Sequence, residues 1–179
     1  MIFHKEVSIV KTYVIAFKGL KEGKHQFHYE IDSKFFSLFE QSEIEKGNLQ
    51  IKVTLVKSER VLSFDIQGKG EVTLICDRCL DEYLQKISFK EKLFAEFGET
   101  NSDITDVDNI LTLSYGEGEI DLSQHIYEYI HLNLPYRRIH PETLTGESTC
   151  NKEMLEELNE YIVEETIDPR WEKLKTLLN

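Results

Sequence analysis

The chain contains few of the residues that define disulfide-rich, collagen-like or membrane-spanning proteins. Its 179 residues include three cysteines, three prolines and nine glycines, so a disulfide scaffold and the low-complexity and collagen-like classes are excluded. No segment approaches the roughly 18 consecutive apolar residues that cross a bilayer. A small, odd number of cysteines is typical of a reduced compartment. We therefore expect a cytoplasmic protein.

Basic residues are also scarce. The sequence has 21 Lys and Arg against 33 Asp and Glu, and its net charge is −12. A protein that coats nucleic acid needs a positive field, so this charge argues against that class. It suits a protein that stays soluble through its charge, or one whose partner is basic. At the N-terminus, Met1–Glu6 carries a charge pair where a signal peptide has its apolar run, so we expect neither export nor a membrane anchor.

The composition is that of a globular chain. Hydrophobic residues make up 40% and charged residues 30%, which is enough apolar material for a core. The length favours one domain, which we assign to 1–179. Its parts are a less regular N-terminal part at 1–48, a β-meander at 49–97, an acidic loop at 98–109 and a mainly helical part at 110–179.

Alternating apolar residues predict the strands of the meander. The polar segment 57–60 is expected to form a hairpin loop between the first two strands, and Gly68-Lys69-Gly70 to turn the chain into the third. Strands joined by short polar turns make an antiparallel sheet. The predicted strands are 51–55, 61–66, 71–76 and 83–97.

Capping residues and apolar stripes predict the helices. In the N-terminal part, Asp32 or Ser33 can cap a short helix. In the C-terminal part, Asp121 is expected to open a helix that ends before Pro135, and Asn151 to cap a second. A last helix should begin at Asp168-Pro169. The predicted fold is α+β, an antiparallel, curved or barrel-like sheet with the C-terminal helices packed on it.

The sharpest motif is the pair Cys76 and Cys79. Two thiolates at this spacing can bind one tetrahedral zinc ion from a tight turn, and the same spacing serves thiol–disulfide exchange. Redox pairs of the thioredoxin kind begin a helix, which lowers the pKa of the first cysteine. Here the pair runs into a strand, and two nearby acids are expected to raise a thiol pKa. Both features disfavour redox catalysis.

Zinc needs two further ligands, and the candidates that suit are Cys150 and His140. The turn after Cys79 lacks the glycine that commonly follows such a motif. Two interpretations remain open. One is a zinc site made by Cys76, Cys79, His140 and Cys150. The other is a structural hairpin whose free thiols pack as small hydrophobic side chains. Zinc is thus the candidate cofactor, and no other is indicated.

Motifs of other chemistries are missing from the sequence. There is no glycine loop of the Walker or Rossmann type, no Gly-x-Ser-x-Gly elbow and no histidine–carboxylate spacing that marks an acid–base pair. Asp103, Asp106 and Asp108 lack the frame of an EF-hand, so we expect a solvated acidic loop there. The sequence gives no warrant for catalysis, and we expect a protein that is not an enzyme.

Three segments, in this order, resemble the YceD-like family from about residue 50 onward. They are Cys76-Asp77-Arg78-Cys79-Leu80, the stretch from Ile120-Asp121-Leu122-Ser123-Gln124 to Leu134-Pro135, and Asp168-Pro169-Arg170-Trp171-Glu172-Lys173-Leu174. The resemblance implies a role in accumulation of large-subunit ribosomal RNA, in a family not known for enzymes. Family genes often neighbour the gene of a small basic protein of the large subunit. Some members carry extra cysteines resembling a zinc ribbon near the C-terminus, where this chain has only His140 and Cys150.

Charge and resemblance together give a functional hypothesis. The acidic chain is expected to bind a basic ribosomal protein or a large-subunit precursor, with no membrane and no small-molecule substrate. Direct RNA contact would be local, and ordinary surface ion pairing is the alternative role of its arginines. Two other classes stay open: a zinc-binding interaction module unrelated to ribosomes, and a thiol–disulfide enzyme. The candidate RNA or partner contacts are Lys69, Arg78, Arg137 and Arg138.

Overall fold

The computed structural model describes residues 13–98 and 110–161. The chain divides into two compact units. The described residues of the first unit are 13–74, 84–98 and 110–136, and those of the second are 75–83 and 137–161. Within these ranges, no helix is long and apolar enough to cross a membrane. The predicted acidic loop, apart from Gly98, and the predicted last helix lie outside the described residues.

Most strands belong to one open sheet. The strands are β1 (Val14–Ala16), β2 (Gly23–Ile31), β3 (Gly47–Lys57), β4 (Val61–Ile75), β5 (Glu82–Phe97), β6 (Ile110–Leu113) and β7 (Glu119–Asp121). The main sheet has the order β2-β3-β4-β5-β6 and is not closed, so β2 and β6 are its edge strands. A separate two-stranded sheet pairs β1 with β7 in antiparallel fashion. The α+β class is confirmed; the curvature of the sheet stays a prediction.

One strand pair departs from the predicted antiparallel sheet. The β3–β4 pair is antiparallel as expected, and the β2–β3 pair is antiparallel too, but β6 runs parallel to β5. Parallel neighbours need a crossover connection of about a dozen residues or more. The segment 98–109 between these two strands has that length. The predicted sheet was antiparallel, so its prediction is wrong for this last pair of strands.

The alternating pattern of the meander is confirmed by burial. Ile51, Val53 and Leu55 of β3 are all buried, and so are most apolar side chains at alternate positions of β4 and β5: Leu62, Phe64, Ile66, Ile87, Phe89, Leu93 and Ala95. A side chain of this size contributes roughly 1.5–3 kcal/mol when it is fully buried rather than exposed. The loop at 57–60 joins β3 and β4, with the Ser58 amide donating to the Val61 carbonyl at 3.1 Å. Burial on one face therefore fixes the register of these strands.

The predicted turn at Gly68-Lys69-Gly70 is wrong, because β4 is continuous through these residues. Both glycines continue the row of alternate positions that faces the core. A Cβ atom on Gly68 would collide with the ring of Phe89, and one on Gly70 would collide with the carbonyl oxygen of Asn48. These glycines allow neighbouring groups to approach the strand closely. Their role is packing, not a change of chain direction.

The three described helices are α1 (Ser33–Phe36), α2 (Ser123–Leu132) and α3 (Lys152–Tyr161). The Asp32 carboxylate accepts from the amides of Lys34 and Phe35, so it caps α1 as predicted. The Asn151 side chain accepts from the Glu153 amide at 3.1 Å, which confirms the predicted cap of α3. Both caps satisfy backbone donors that the first helical turn leaves unpaired.

The start of α2 differs from the prediction. Leu122, not Asp121, occupies the cap position, and no side chain caps the helix. The Asp121 carboxylate accepts from the Ser123 amide at 2.8 Å, while Gln124 donates to Glu128 instead of closing a capping box. The helix ends before the proline, as expected. The helix therefore starts one residue later than predicted.

One ring contact links α2 to the main sheet, while the packing of the C-terminal helices on the sheet stays a prediction. Ile126, Tyr129 and Ile130 of α2 are buried, and the Tyr129 ring lies 6.4 Å from that of Phe89 on β5. None of the α3 side chains is buried. That α3 packs on the sheet stays a prediction.

Candidate metal centre

Four side chains of the second unit bring their metal-binding atoms together. The Sγ atoms of the three cysteines and a ring nitrogen of the histidine all lie within 4.8 Å of one another. The three cysteines are buried and form no disulfide, and the histidine is half-buried. The cluster could hold a metal ion. Its members are the four residues that the sequence nominates: Cys76, Cys79, His140 and Cys150.

The spacing within the cluster matches the edges of a zinc tetrahedron. The Sγ atoms of Cys76 and Cys150 are 3.8 Å apart, and Cys79 Sγ is 3.4 Å from His140 Nδ1. With Zn–S bonds of about 2.3 Å and Zn–N bonds of about 2.05 Å, tetrahedral angles give edges of about 3.8 Å and 3.5 Å. Two of the six ligand–ligand separations are therefore close to those that a bound zinc ion requires, and none of the six exceeds 4.8 Å.

The first ligand pair is placed by the tight turn between β4 and β5. The Cys76 amide donates to the Asp81 carbonyl, and the Leu80 amide donates back to the Cys76 carbonyl, both at 2.9 Å. Leu80 has a φ of 61°, a left-handed conformation in which glycine is usual. The chain thus folds a compact turn here although the glycine that often follows such a pair is absent.

The second ligand pair is placed by a short hairpin between His140 and Cys150. Glu142 and Ser148 form an antiparallel bridge, and a turn is closed by the Thr143 amide donating to the Glu147 carbonyl at 2.8 Å. Continued outward by two residues on each side, this register sets His140 opposite Cys150. The Thr149 hydroxyl donates to the Pro141 carbonyl at 2.7 Å and extends the pairing toward the ligands.

Hydrogen bonds around the sulfur atoms determine their acidity. Burial alone would raise the pKa of Cys76, but hydrogen bonds from the Cys79 and Arg78 amides and from His140 outweigh it and lower the pKa to about 6. The sequence-based expectation that nearby acids raise this pKa is therefore wrong. Burial raises the pKa of Cys79, as do its hydrogen bonds with the other two thiols, although the amides of Asn151 and Asp81 act in the opposite direction.

These amides distinguish the two interpretations of the cysteines. The Arg78 amide lies 3.4 Å from Cys76 Sγ and donates to it. Thiols that pack only as small hydrophobic groups need no such donors, whereas metal-bound thiolates are commonly oriented and stabilised by surrounding hydrogen bonds. The donor set therefore fits a metal site better than a purely apolar hairpin.

The structure also shows the surroundings of the cysteine pair. Cys76 and Cys79 lie in a turn between two strands, not at the start of a helix as in thioredoxin-like redox sites. The low pKa of Cys76 therefore arises from local hydrogen bonds and not from a helix dipole. Whether the pair exchanges disulfides stays untested by this geometry.

The proposed RNA contacts fall in different units. Lys69 is exposed on β4 in the first unit, whereas Arg78, Arg137 and Arg138 belong to the second. The Asp77 amide donates to the Arg138 carbonyl at 2.7 Å, and the Arg138 amide donates to the Asp77 carboxylate at 2.8 Å. The segment before His140 is thus joined to the turn that carries Cys76 and Cys79. The sequence analysis predicted neither this link nor the hairpin between His140 and Cys150. The signal for the hairpin turn in the sequence was weak and consisted of Thr143 and Gly146.

Comparisons with known proteins give one match. The family model described as "Large ribosomal RNA subunit accumulation protein YceD" matches residues 64–178, which is more than half of the chain and includes all four cluster residues. No curated protein and no solved structure matches the chain significantly.

Proposed function

The chain belongs to the YceD family, and from that premise we propose that it supports accumulation of large-subunit ribosomal RNA as a non-catalytic binding factor. The family match over residues 64–178 is the observation that carries this proposal. The family description names accumulation of an RNA and no enzymatic activity. The absence of recognisable catalytic motifs from the sequence is consistent with it.

Zinc is the proposed cofactor, with a structural role. Three cysteines and one histidine make a complete tetrahedral set, which leaves no open position for a reactive water molecule. Such closed sites stabilise folds, whereas catalytic zinc sites keep one position free. The proposed ligands are Cys76, Cys79, His140 and Cys150.

The second unit has little else to hold it together. Among its described residues, the only buried ones are Cys76, Cys79, Tyr83 and Cys150. Three of these four are proposed ligands, so the apolar core is too small to stabilise a fold by itself. In such small modules the free energy of metal binding becomes free energy of folding. Zinc would therefore act as the core of this unit.

A basic protein is the proposed partner. The net charge of −12 favours fast encounter with a positively charged protein. α3 offers a concentrated part of that charge, because its glutamates are exposed and only Lys152 opposes them on the helix. Removing these charges should mainly slow association and weaken its salt dependence. The glutamates are Glu153, Glu156, Glu157 and Glu160.

The test of the proposed function is deletion of the gene followed by complementation. We expect lower levels of large-subunit RNA and fewer large subunits in sucrose gradients, both restored by the wild-type gene. Cys150→Ser and His140→Ala should restore them poorly, because each removes one proposed ligand. His25→Ala is the matched histidine control and should complement fully, since this histidine lies on β2 in the first unit. Unchanged RNA and subunit profiles after deletion would contradict the proposed function.

One observation favours a second candidate. A thiol with a pKa of about 6 is largely ionised at neutral pH, as a disulfide-exchange nucleophile must be. A Cys79→Ser variant should then accumulate mixed disulfides through Cys76, detectable by mass spectrometry. If Cys79→Ser traps no mixed disulfide, the candidate enzyme is excluded.

A further inference from the structure

The face of the main sheet opposite the core carries a group of lysines. Side chains alternate across a strand, and the buried row of β3 and β4 includes Ile51 and Gly68, which are paired in the register. Their neighbours along each strand point to the other face, where Lys52 pairs with Gln67 and Gln50 pairs with Lys69. We call this surface the lysine face. Its lysines are Lys52, Lys69, Lys86 and Lys90.

Two open depressions lie on the lysine face. The first, of about 950 Å³, lies over β2, β3, β4 and β5, and three of the lysines line it. A second depression of about 700 Å³ is lined by Lys69 and Lys86. Four other residues line the first depression only with their backbone side, because their side chains belong to the row that faces the core. They are Tyr29, Ile51, Gly68 and Phe89. The floor is therefore mainly sheet backbone, with lysine side chains around it.

The charge of the lysine face is opposite to that of the whole protein. The residues lining the two depressions include four lysines and two glutamates, Glu30 and Glu71, together with His28. Among the described residues, none of the four lysines forms an ion pair or a side-chain hydrogen bond within the protein. Three of the lysines are exposed and Lys52 is half-buried. Their ammonium groups are thus available to an external anion.

We propose that the lysine face binds the sugar–phosphate backbone of RNA. The positive charge of the face favours a polyanion as ligand. Ribosomal RNA is the polyanion that the proposed function involves, so this inference rests on that function. Lysine binds phosphate as a mobile point charge. Between the lysines, Gln50, Gln67 and Ser88 provide amide and hydroxyl groups that can bond to phosphate and ribose oxygens. One surface thus combines both kinds of contact.

The chemistry of the face also predicts how RNA is read. The depressions are lined by no exposed Phe, Tyr or Trp: the rings of Phe89 and Tyr29 belong to the buried row, and the His28 imidazole is the one exposed ring among the lining residues. A platform of several exposed aromatic rings, which binds single-stranded bases, is therefore not part of this surface. Contacts to phosphate carry little sequence information. Binding should tolerate many sequences and weaken strongly with salt.

The test is fluorescence anisotropy with the full zinc-loaded chain. The probes are a labelled single-stranded RNA longer than about 16 nucleotides and an RNA hairpin, titrated between about 50 and 200 mM KCl. The triple variant Lys52→Gln/Lys69→Gln/Lys90→Gln keeps side-chain length but removes three charges. We expect at least tenfold weaker binding at low salt, and a salt slope reduced by about 2, since each phosphate contact on a single strand contributes about 0.7.

Further variants distinguish an effect of the lysine face from an effect of the protein's net charge. Lys34→Gln removes an exposed lysine that lies on α1 and lines neither depression, and it should change affinity less than twofold. Glu30→Gln and Glu71→Gln each remove a negative charge that lines a depression, and should tighten binding. Unchanged thermal melting of each variant would show that the fold is intact. An equal loss with Lys34→Gln and the triple variant would overturn the proposal.

Other outcomes also decide. The proposal is overturned if neither RNA binds at low salt, if the triple variant binds like the wild type, or if an acidic peptide displaces RNA at equal charge concentration. Deletion of the gene distinguishes this inference from the proposed function. Normal ribosomal RNA after deletion, with RNA bound through the lysine face, contradicts the function and leaves the inference standing. If deletion lowers ribosomal RNA but the triple variant binds RNA like the wild type, the proposed function stands and the inference about the lysine face is contradicted.

Discussion

The ring of Tyr83 lies 5.1 Å from the ring of His140, at an interplanar angle of 38°. Tyr83 is buried beside the ligand cluster, and its hydroxyl has no hydrogen-bond partner among the described residues. Burial raises the pKa of this tyrosine, and the nearby Cys76 and Asp77 charges raise it further. The tyrosine therefore contributes as a neutral aromatic ring that packs against a ligand.

From this contact we predict different effects for two substitutions of Tyr83. Tyr83→Phe keeps the ring and removes a hydroxyl without a partner, so the melting temperature should stay equal or rise. Tyr83→Ala leaves a cavity beside His140 and should destabilise the second unit by roughly 3–5 kcal/mol. Zinc competition with a chromophoric chelator should show weaker binding only for the alanine variant. Equal loss in both variants would mean that the hydroxyl, not the ring, is what matters.

The pKa of Cys76 predicts how the zinc-loaded protein responds to acid. The ordinary thiol pKa is 9.0 and the folded-state value is about 6. Because the folded pKa is the lower one, ionised Cys76 contributes stability that is fully present above pH 9 and is lost as the pH falls through about 6. The protein should therefore keep its zinc at neutral pH and release it to a chromophoric chelator only as the pH falls below about 6. Release that begins well above pH 7 would contradict this prediction.

Leu80 occupies a strained backbone position that can be relieved. At a φ of 61° a side chain costs roughly 1–2 kcal/mol, and glycine avoids this cost but loses some unfolded-state entropy. Leu80 is exposed, so its removal sacrifices little packing. We expect Leu80→Gly to stabilise the zinc-loaded protein by roughly 0.5–1 kcal/mol in denaturant unfolding. Leu80→Ala keeps the strained Cβ and should give no such gain; a gain of equal size would refute the strain argument.

Gly70 should not tolerate a larger residue. A Cβ atom there would meet the Asn48 carbonyl and the Leu49 backbone on the neighbouring strand. Backbone cannot move aside as a flexible side chain can, so Gly70→Ala should destabilise by roughly 1–3 kcal/mol. Gly116→Ala is the control, because a Cβ atom at that position would have no neighbour within 4 Å, and it should stay within about 0.5 kcal/mol. Comparable unfolding midpoints for the two variants would contradict the close approach at Gly70.

These glycines also show which parts of the fold a sequence can predict. Alternation identified the strand segments, although it divided β4 into two, because one buried face imposes a period of two on any half-buried strand. It could not tell a glycine that turns the chain from one that admits a neighbouring strand, since that depends on which strands pair. For the same reason the direction of β6 was missed. Local caps such as Asp32 and Asn151 were predictable because their partners lie within a few residues.

The four residues of the candidate metal site could be predicted from the sequence, but the backbone geometry that brings them together could not. The spacing of Cys76 and Cys79 is a local signal, and few cysteines or suitable histidines remained to complete four ligands. The register that sets His140 opposite Cys150 depends on a hairpin with weak turn residues. The lysine face was invisible for another reason: its lysines lie on three strands, and only the sheet order makes them neighbours.

The claim that the second unit folds around zinc is tested most directly by metal analysis of the purified chain. Native mass spectrometry, combined with elemental analysis, should find one zinc ion per chain. X-ray absorption should report three sulfur ligands at about 2.3 Å and one nitrogen ligand at about 2.0–2.1 Å. Cys150→Ser should lose the metal, whereas His25→Ala should keep it. A wild-type chain that is fully folded without any metal would contradict the claim.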